Sequence, residues 1–245
     1  MRTVAIIQAR MGSTRLPGKV LLQLVDRTVL EHVINRVRGV QEIDDIVIAT
    51  TDDAQDDPIQ LEAEKLGVSV YRGSEQDVLA RYYEAACVSK AEAIVRITSD
   101  CPVLDIDVTS QVIRSFCSAE ADYTSNCLER SFPRGLDTEV FTFSSLQEAY
   151  HHAKEAYERE HVTPYLYLNP QRFRLSSFVN DQDLSNYRWT LDTIEDWKLI
   201  QMIYEKLYSP SRIFSWSEVL DLYKQHPELA DINGHIEQKK LDGGS

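Results

Sequence analysis

Four short runs rich in β-branched residues, at 4–8, 46–51, 68–71 and 93–98, recur with amphipathic stretches between them. This strand–helix alternation constrains the fold more than any other feature, because it implies a mostly parallel sheet covered by helices on both faces. The helices have readable ends. Thr28 to Glu31 forms a capping box and Gly39 a stop, while Asp57-Pro58 opens a second helix that closes near Gly67. After Asp107 a further helix leads to a strand near 122–125, and 126–137 reads as an irregular functional loop. Residues 138–143 look extended, 144–168 largely helical and 172–179 like a half-buried strand. Residues 194–207 form an amphipathic helix, and the capping box Ser215 to Glu218 starts the last one. The expected class is α/β, a three-layer α/β/α arrangement with an embellished C-terminal half. Without an internal repeat or a Gly/Ser/Pro linker, residues 1–225 read as a single domain and 226–245 as a loosely held tail.

At 245 residues with 43% hydrophobic side chains, the chain has enough apolar material for a proper core. Its formal charge of −13 opposes a nucleic-acid backbone as partner. Cys87, Cys101, Cys117 and Cys127 form no C-x-x-C pair, which fits neither a zinc site nor a disulfide framework and suits a reducing cytoplasm. No signal-like or membrane-spanning stretch is expected.

Against this acidic background the segment from Gln8 and Ala9 to Lys19 stands out. It follows the first strand, where open α/β sheets place their ligand crevice. Gly12 lets the backbone approach an anion, Ser13 and Thr14 supply hydroxyl donors, and Arg10, Arg15 and Lys19 supply charge-assisted bonds to phosphate. An isolated cation in a loop is usually solvated surface, but this gathering points to a triphosphate. The segment is neither G-x-G-x-x-G nor G-x-x-x-x-G-K-[ST], which disfavours a dinucleotide site and a P-loop.

Arg10-x-x-Ser13-Thr14-Arg15-Leu16-Pro17-Gly18-Lys19 resembles the signature of the cytidylyltransferases that make CMP-ketodeoxyoctonate and CMP-sialic acid, members of the GT-A-like nucleotide-diphospho-sugar transferase fold. Similarity to the spore coat polysaccharide (SpsF) branch is stronger still. It runs through Ser99-Asp100-Cys101-Pro102, Arg134 to Glu139, Arg159 to Pro164 and Arg188 to Thr193, covering roughly residues 1–200. The resemblance implies CTP as nucleotide, a sugar or sugar-acid acceptor, Mg²⁺ as cofactor and homodimers as a common assembly.

Asp100 follows the fourth strand and Asp192 an extended run, so strand ends on one sheet edge would bring them together to hold Mg²⁺ with phosphates and water. From the residues alone each aspartate reads equally well as a turn or helix cap; the resemblance favours the metal, with Ser99 beside Asp100 in the nucleotide site. Arg15, Lys19, Asp100 and Asp192 form the expected catalytic set. The resemblance turns Arg134, Asp137 and Glu139 toward the acceptor, where the rival reading is a loop salt bridge. Arg159 and His161, two apart on a helix, cannot both face the site, and Arg188 is a further acceptor or phosphate candidate. With no G-x-S-x-G elbow, and a carboxylate beside Cys101, covalent catalysis is not indicated. The expected reaction is attack of an acceptor oxygen on the α-phosphorus of CTP with loss of pyrophosphate. Glycosyl transfer from a nucleotide sugar, or an inactive nucleotide-binding homologue, are the rivals; the basic 10–19 loop speaks against the former and both aspartates against the latter.

Overall fold

In the computed structural model, which describes residues 1–237, the alternating first half folds into the expected layers. The chain runs through β1 (Thr3–Gln8), a small hairpin of β2 (Gln23–Leu24) and β3 (Arg27–Thr28), α1 (Val29–Arg38), β4 (Asp45–Thr51), α2 (Asp57–Lys65), β5 (Ser69–Gly73), α3 (Val78–Ser89) and β6 (Ala93–Thr98). There follow α4 (Ile106–Ala119), β7 (Tyr123–Ser125), β8 (Glu139–Thr142), α5 (Phe143–His152), α6 (Ala156–His161), α7 (Pro164–Tyr167), β9 (Leu175–Ser177), α8 (Ile194–Leu207), α9 (Trp216–Gln225) and α10 (Leu229–Asn233).

The central sheet has seven strands in the order β5-β4-β1-β6-β8-β7-β9. β1 pairs in parallel with β4 and β6, and β8 alone runs against its neighbours β6 and β7. From β1 the chain moves outward through β4 to β5, then returns to β6 on the other side of β1. That reversal leaves a crevice beyond the carboxyl ends of β1 and β6, where such sheets bind ligands.

Strand periodicity sets the two faces of the core. Val4 and Ile6 pack with Leu79 and Tyr82 of α3 and with Leu146 of α5, whereas Ala5 and Ile7 pack with Leu30 and Ile34 of α1 and Phe116 of α4. Each fully buried Ile or Leu contributes about 1.5–3 kcal/mol of transfer free energy, so two continuous faces of them hold the sheet in place. A third cluster joins Trp189, Leu199, Tyr204, Phe214, Leu222 and Leu229, and fastens α8, α9 and α10 to the body.

Two segments depart from the expected elements, and a third is irregular as expected. The helical stretch 144–168 is broken into α5, α6 and α7, because Ala153 is extended, Val162 has φ of 73° and Pro164 restarts the helix. The irregular 126–137 segment is pinned rather than loose: the Asn126 side chain donates to Leu136 O at 2.8 Å and accepts from Thr138 N–H at 2.9 Å. The expected tail after residue 225 is corrected as far as residue 237. Leu229 is 2% exposed, and the buried Asn233 amide donates to Arg188 O and to Asp196 Oδ1. Apolar burial and two hydrogen bonds hold this stretch, a signal too short for helical periodicity to reveal; residues 238–245 of the expected tail lie outside the described residues. Among the described residues no helix is long and apolar enough to cross a membrane.

Candidate active site

The loop leaving β1 is shaped by its own backbone. Ser13 N–H and Gly18 N–H both donate to Met11 O, at 2.9 and 3.0 Å, and Leu16 N–H donates to Ser13 Oγ at 3.3 Å. Gly18 turns the chain back with φ of +67°, a conformation that favours glycine. Asp56, fully buried before α2, accepts the Met11 N–H at 2.7 Å and the Thr51 hydroxyl, tying the loop to the end of β4. The loop therefore presents its side chains over the crevice from a fixed base.

Lys19, delivered by that turn, is 9% exposed. Its ammonium donates to Asp100 Oδ2 at 2.8 Å and to Asp192 Oδ1 at 2.7 Å, so two carboxylates 92 positions apart in number meet on one cation. Leu191 N–H donates to Asp100 O at 2.8 Å and fastens the two segments beside it. Burial alone pushes the Lys19 pKa down, but Asp100 and Asp192 outweigh it and hold the ammonium above its ordinary value. Burial likewise pushes Asp100 up, yet its pairing with Lys19 brings its pKa below the ordinary carboxylate value. Asp192 also meets Arg15 at 3.3 Å and Arg188 at 3.0 Å. Arg188 in turn donates through Nε to the fully buried Asp196 at 2.9 Å, and Asp196 accepts the Asp192 N–H at 2.9 Å.

This constellation offers two hard oxygen donors, and the described residues contain no group of three or more His, Cys, Asp or Glu that would enclose a metal by themselves. Two carboxylates suit Mg²⁺, which draws its remaining ligands from substrate phosphates and water, better than zinc. Cys101 is buried, and burial, with Asp100 and Asp137 adding to it, pushes its thiol well up; it is a poor nucleophile.

Around these groups lies a cavity of about 610 Å³. Gln8, Ala9, Arg10, Gly12, Ser13, Thr14, Arg15, Lys19, Ser99 and Asp100 all line it, as does Asp192. Of the acceptor candidates only His161 does, together with Glu160. Burial lowers the His161 pKa and keeps the imidazole neutral near pH 7. Its helix neighbour Arg159 points elsewhere, gripping Asp77 with Nε at 3.1 Å and donating to Tyr150 O at 2.7 Å. Asp137 is held by both nitrogens of Arg130, at 2.7 and 3.0 Å. Glu139 pairs with Arg96 and accepts the Tyr123 hydroxyl at 2.7 Å. Arg134 is half-buried off the cavity wall, and Arg188 braces Asp192 from behind. Gly135 matters structurally: its φ is +101°, and a Cβ there would sit 2.6 Å from the Trp189 carbonyl.

Other contributors escape a reading of the sequence. Glu75, Gln76, Val78 and Arg81 line the cavity without a motif to mark them, and Asp56 and Asp196 join local contacts to partners far along the chain, Met11 and Asn233. The capping box Thr193–Asp196 was the single local signal for Asp196.

A family model described as cytidylyltransferase matches residues 4–235. The chain is 34% identical to the spore coat polysaccharide biosynthesis protein SpsF of Bacillus subtilis, over 92% of this chain and 95% of that protein. It is 38% identical to an uncharacterized protein of Methanocaldococcus jannaschii, over 98% and 97% of the two chains. The solved structure of a cytidylyltransferase from Leptospira borgpetersenii superposes with a TM-score of 0.89 at 35% identity, covering 98% of this chain and 100% of that one.

Proposed function

Because the chain belongs to the cytidylyltransferase family, we propose that it joins CTP to a sugar or sugar acid with release of pyrophosphate, for synthesis of a surface polysaccharide. The observation that supports this reading most is the Lys19 ammonium held between Asp100 and Asp192 in the cavity that the 8–19 loop lines. Arg10, Arg15 and the hydroxyls of Ser13 and Thr14 bind the β- and γ-phosphates. Lys19 faces the α-phosphate and stabilises the charge that gathers there as the phosphoryl group is transferred. Mg²⁺ bound by Asp100 and Asp192 would neutralise phosphate oxygens and orient the leaving group. The acceptor enters past Glu160 and His161, and the neutral His161 imidazole accepts a hydrogen bond from the attacking hydroxyl. A bond forms from the acceptor oxygen to the α-phosphorus as the hydroxyl proton passes to the His161 imidazole, the bond to the β-phosphate bridging oxygen breaks, and pyrophosphate departs.

Purified protein supplied with CTP, Mg²⁺ and a panel of sugar acids and sugar phosphates tests this by release of pyrophosphate. Lys19→Ala and Asp192→Ala should each lower turnover by at least about a hundredfold, as loss of a transition-state charge partner does, with the circular dichroism of the folded chain retained. Wild-type rates in either variant would refute the assignment.

A further inference from the structure

Arg96 and Glu139 form a charge pair that the reaction above does not use. Arg96 of β6 donates through Nη1 to Glu139 of β8, and Glu139 accepts the Tyr123 hydroxyl at 2.7 Å. The two side chains are 14% and 10% exposed. An ion pair taken so far out of water is weak evidence for stability, since apolar residues of similar volume often hold a fold as well. This pair instead grips a residue of the cavity. Arg96 Nη2 donates to Gln8 Oε1 at 3.1 Å, and the Tyr82 hydroxyl is 3.3 Å from the same oxygen. A guanidinium has donors only, so the Gln8 amide must turn its oxygen to Arg96 and its amino group away. Gln8 lines the cavity, and among the described residues nothing accepts from that amino group.

We propose that Gln8 is a specificity residue for the acceptor, its amino group donating to a hydroxyl oxygen of the sugar, with Arg96 and Glu139 as the positioning residues that fix the amide. This rests on the nucleotidyltransferase reading above. Three observations put Gln8 on the acceptor side rather than among the phosphate ligands. By strand periodicity it shares with Val4 and Ile6 the face of β1 turned to α3 and α5. It stands in register with Thr98 of β6, which also lines the cavity. The pair that holds it also acts electrostatically on His161, the cavity residue already assigned to the acceptor. The charges select the kind of oxygen. Glu139 neutralises the cation behind Gln8, and Glu160 adds a carboxylate to the cavity lining. The amide is therefore a neutral donor suited to a neutral hydroxyl, without the charge-assisted bond that an acid group would draw from a free cation.

The test uses the panel of sugar acids and sugar phosphates with CTP and Mg²⁺, followed by a monodeoxy series of the compound that the wild type turns over fastest. Gln8→Leu should raise the KM for that acceptor about five- to tenfold, as loss of one hydrogen bond does, and shift the KM for CTP by less than about twofold. One monodeoxy analogue should be as poor a substrate for wild type as the parent compound is for the variant, and Gln8→Leu should penalise it no further. Arg96→Met combined with Glu139→Gln removes both charges together and leaves neither buried alone. It should raise the acceptor KM too, and adding Gln8→Leu should raise it little more, because the pair acts through Gln8. Arg96→Lys keeps a charge opposite Glu139 without the fork that reaches Gln8, and serves if the double variant does not fold. Additive effects would overturn the positioning role. A KM that rises for CTP in place of the acceptor would make Gln8 a nucleotide ligand and overturn the proposal, as would unchanged kinetics in Gln8→Leu or a penalty that every deoxy analogue retains. Wild-type protein that releases no pyrophosphate with any panel compound would overturn the nucleotidyltransferase reading itself.

Discussion

Replacing Lys19 by methionine removes the cation from between Asp100 and Asp192 while keeping most of the unbranched stem. Taking one partner from a buried ion pair costs about 3–5 kcal/mol. Here the Asp100 and Asp192 side chains are 22% and 17% exposed, and Asp192 keeps Arg15 and Arg188. Solvent screening and those arginines reduce the expected loss to about 2–3 kcal/mol. For a chain of this size that is a fall of roughly 5–10 °C in melting temperature. The pH dependence makes the test sharper. The lowered pKa of Asp100 gives stability that is present above 3.8, its ordinary value, and is lost as pH falls through the folded value. The raised pKa of Lys19 gives stability that is present below 10.5 and is lost as pH rises through the folded value. Melting curves of wild type and Lys19→Met should therefore be separated across neutral pH and converge at both the acid and the alkaline ends. With the ammonium gone, added Mg²⁺ should stabilise the variant more than the wild type. A variant as stable as wild type at pH 7, or a gap that persists unchanged into acid, would refute the electrostatic account of this pair.

Asp56→Ala should unfasten the phosphate loop: loss of the Met11 and Thr51 contacts is expected to cost about 2–4 kcal/mol in urea titration and to weaken triphosphate binding in calorimetry. Gly135→Ala forces a Cβ into the Trp189 backbone at a positive φ, and should destabilise by at least about 2 kcal/mol in the same titration. Asn233→Ala removes two hydrogen bonds behind the site, one of them to the buried Asp196. It should cost about 1–3 kcal/mol and reduce turnover although the residue does not line the cavity, a combination read by denaturation and steady-state kinetics together.

What the sequence disclosed and what it concealed follow from the range of the interactions. The 8–19 loop is visible because its donors are contiguous, and the parallel sheet because β-branched runs alternate with capped helices. The meeting of Asp100 and Asp192 follows from strand ends sharing an edge, but the cation between them does not, since Lys19 reads as one more phosphate ligand. The 134–139 and 159–161 segments show the limit of such a reading. A charged side chain looks the same in sequence whether it faces substrate, as His161 faces the cavity, or is consumed by a partner, as Arg159 is by Asp77 and Glu139 by Arg96. Arg81 sits in the first turn of α3 with no motif around it, and only the folded chain shows that it is buried and lines the cavity. Asn233 is hidden because one amide contacting residues 45 and 37 positions away leaves no periodic trace.

The internal counter-ion has a practical corollary for anyone handling the enzyme. With Lys19 already neutralising Asp100 and Asp192, the resting protein does not need a divalent ion to keep its carboxylates from repelling one another. Chelating agents should leave it folded and monodisperse, and restoring metal afterwards should recover full binding capacity without a refolding step. The site rests on a charge that the chain carries itself.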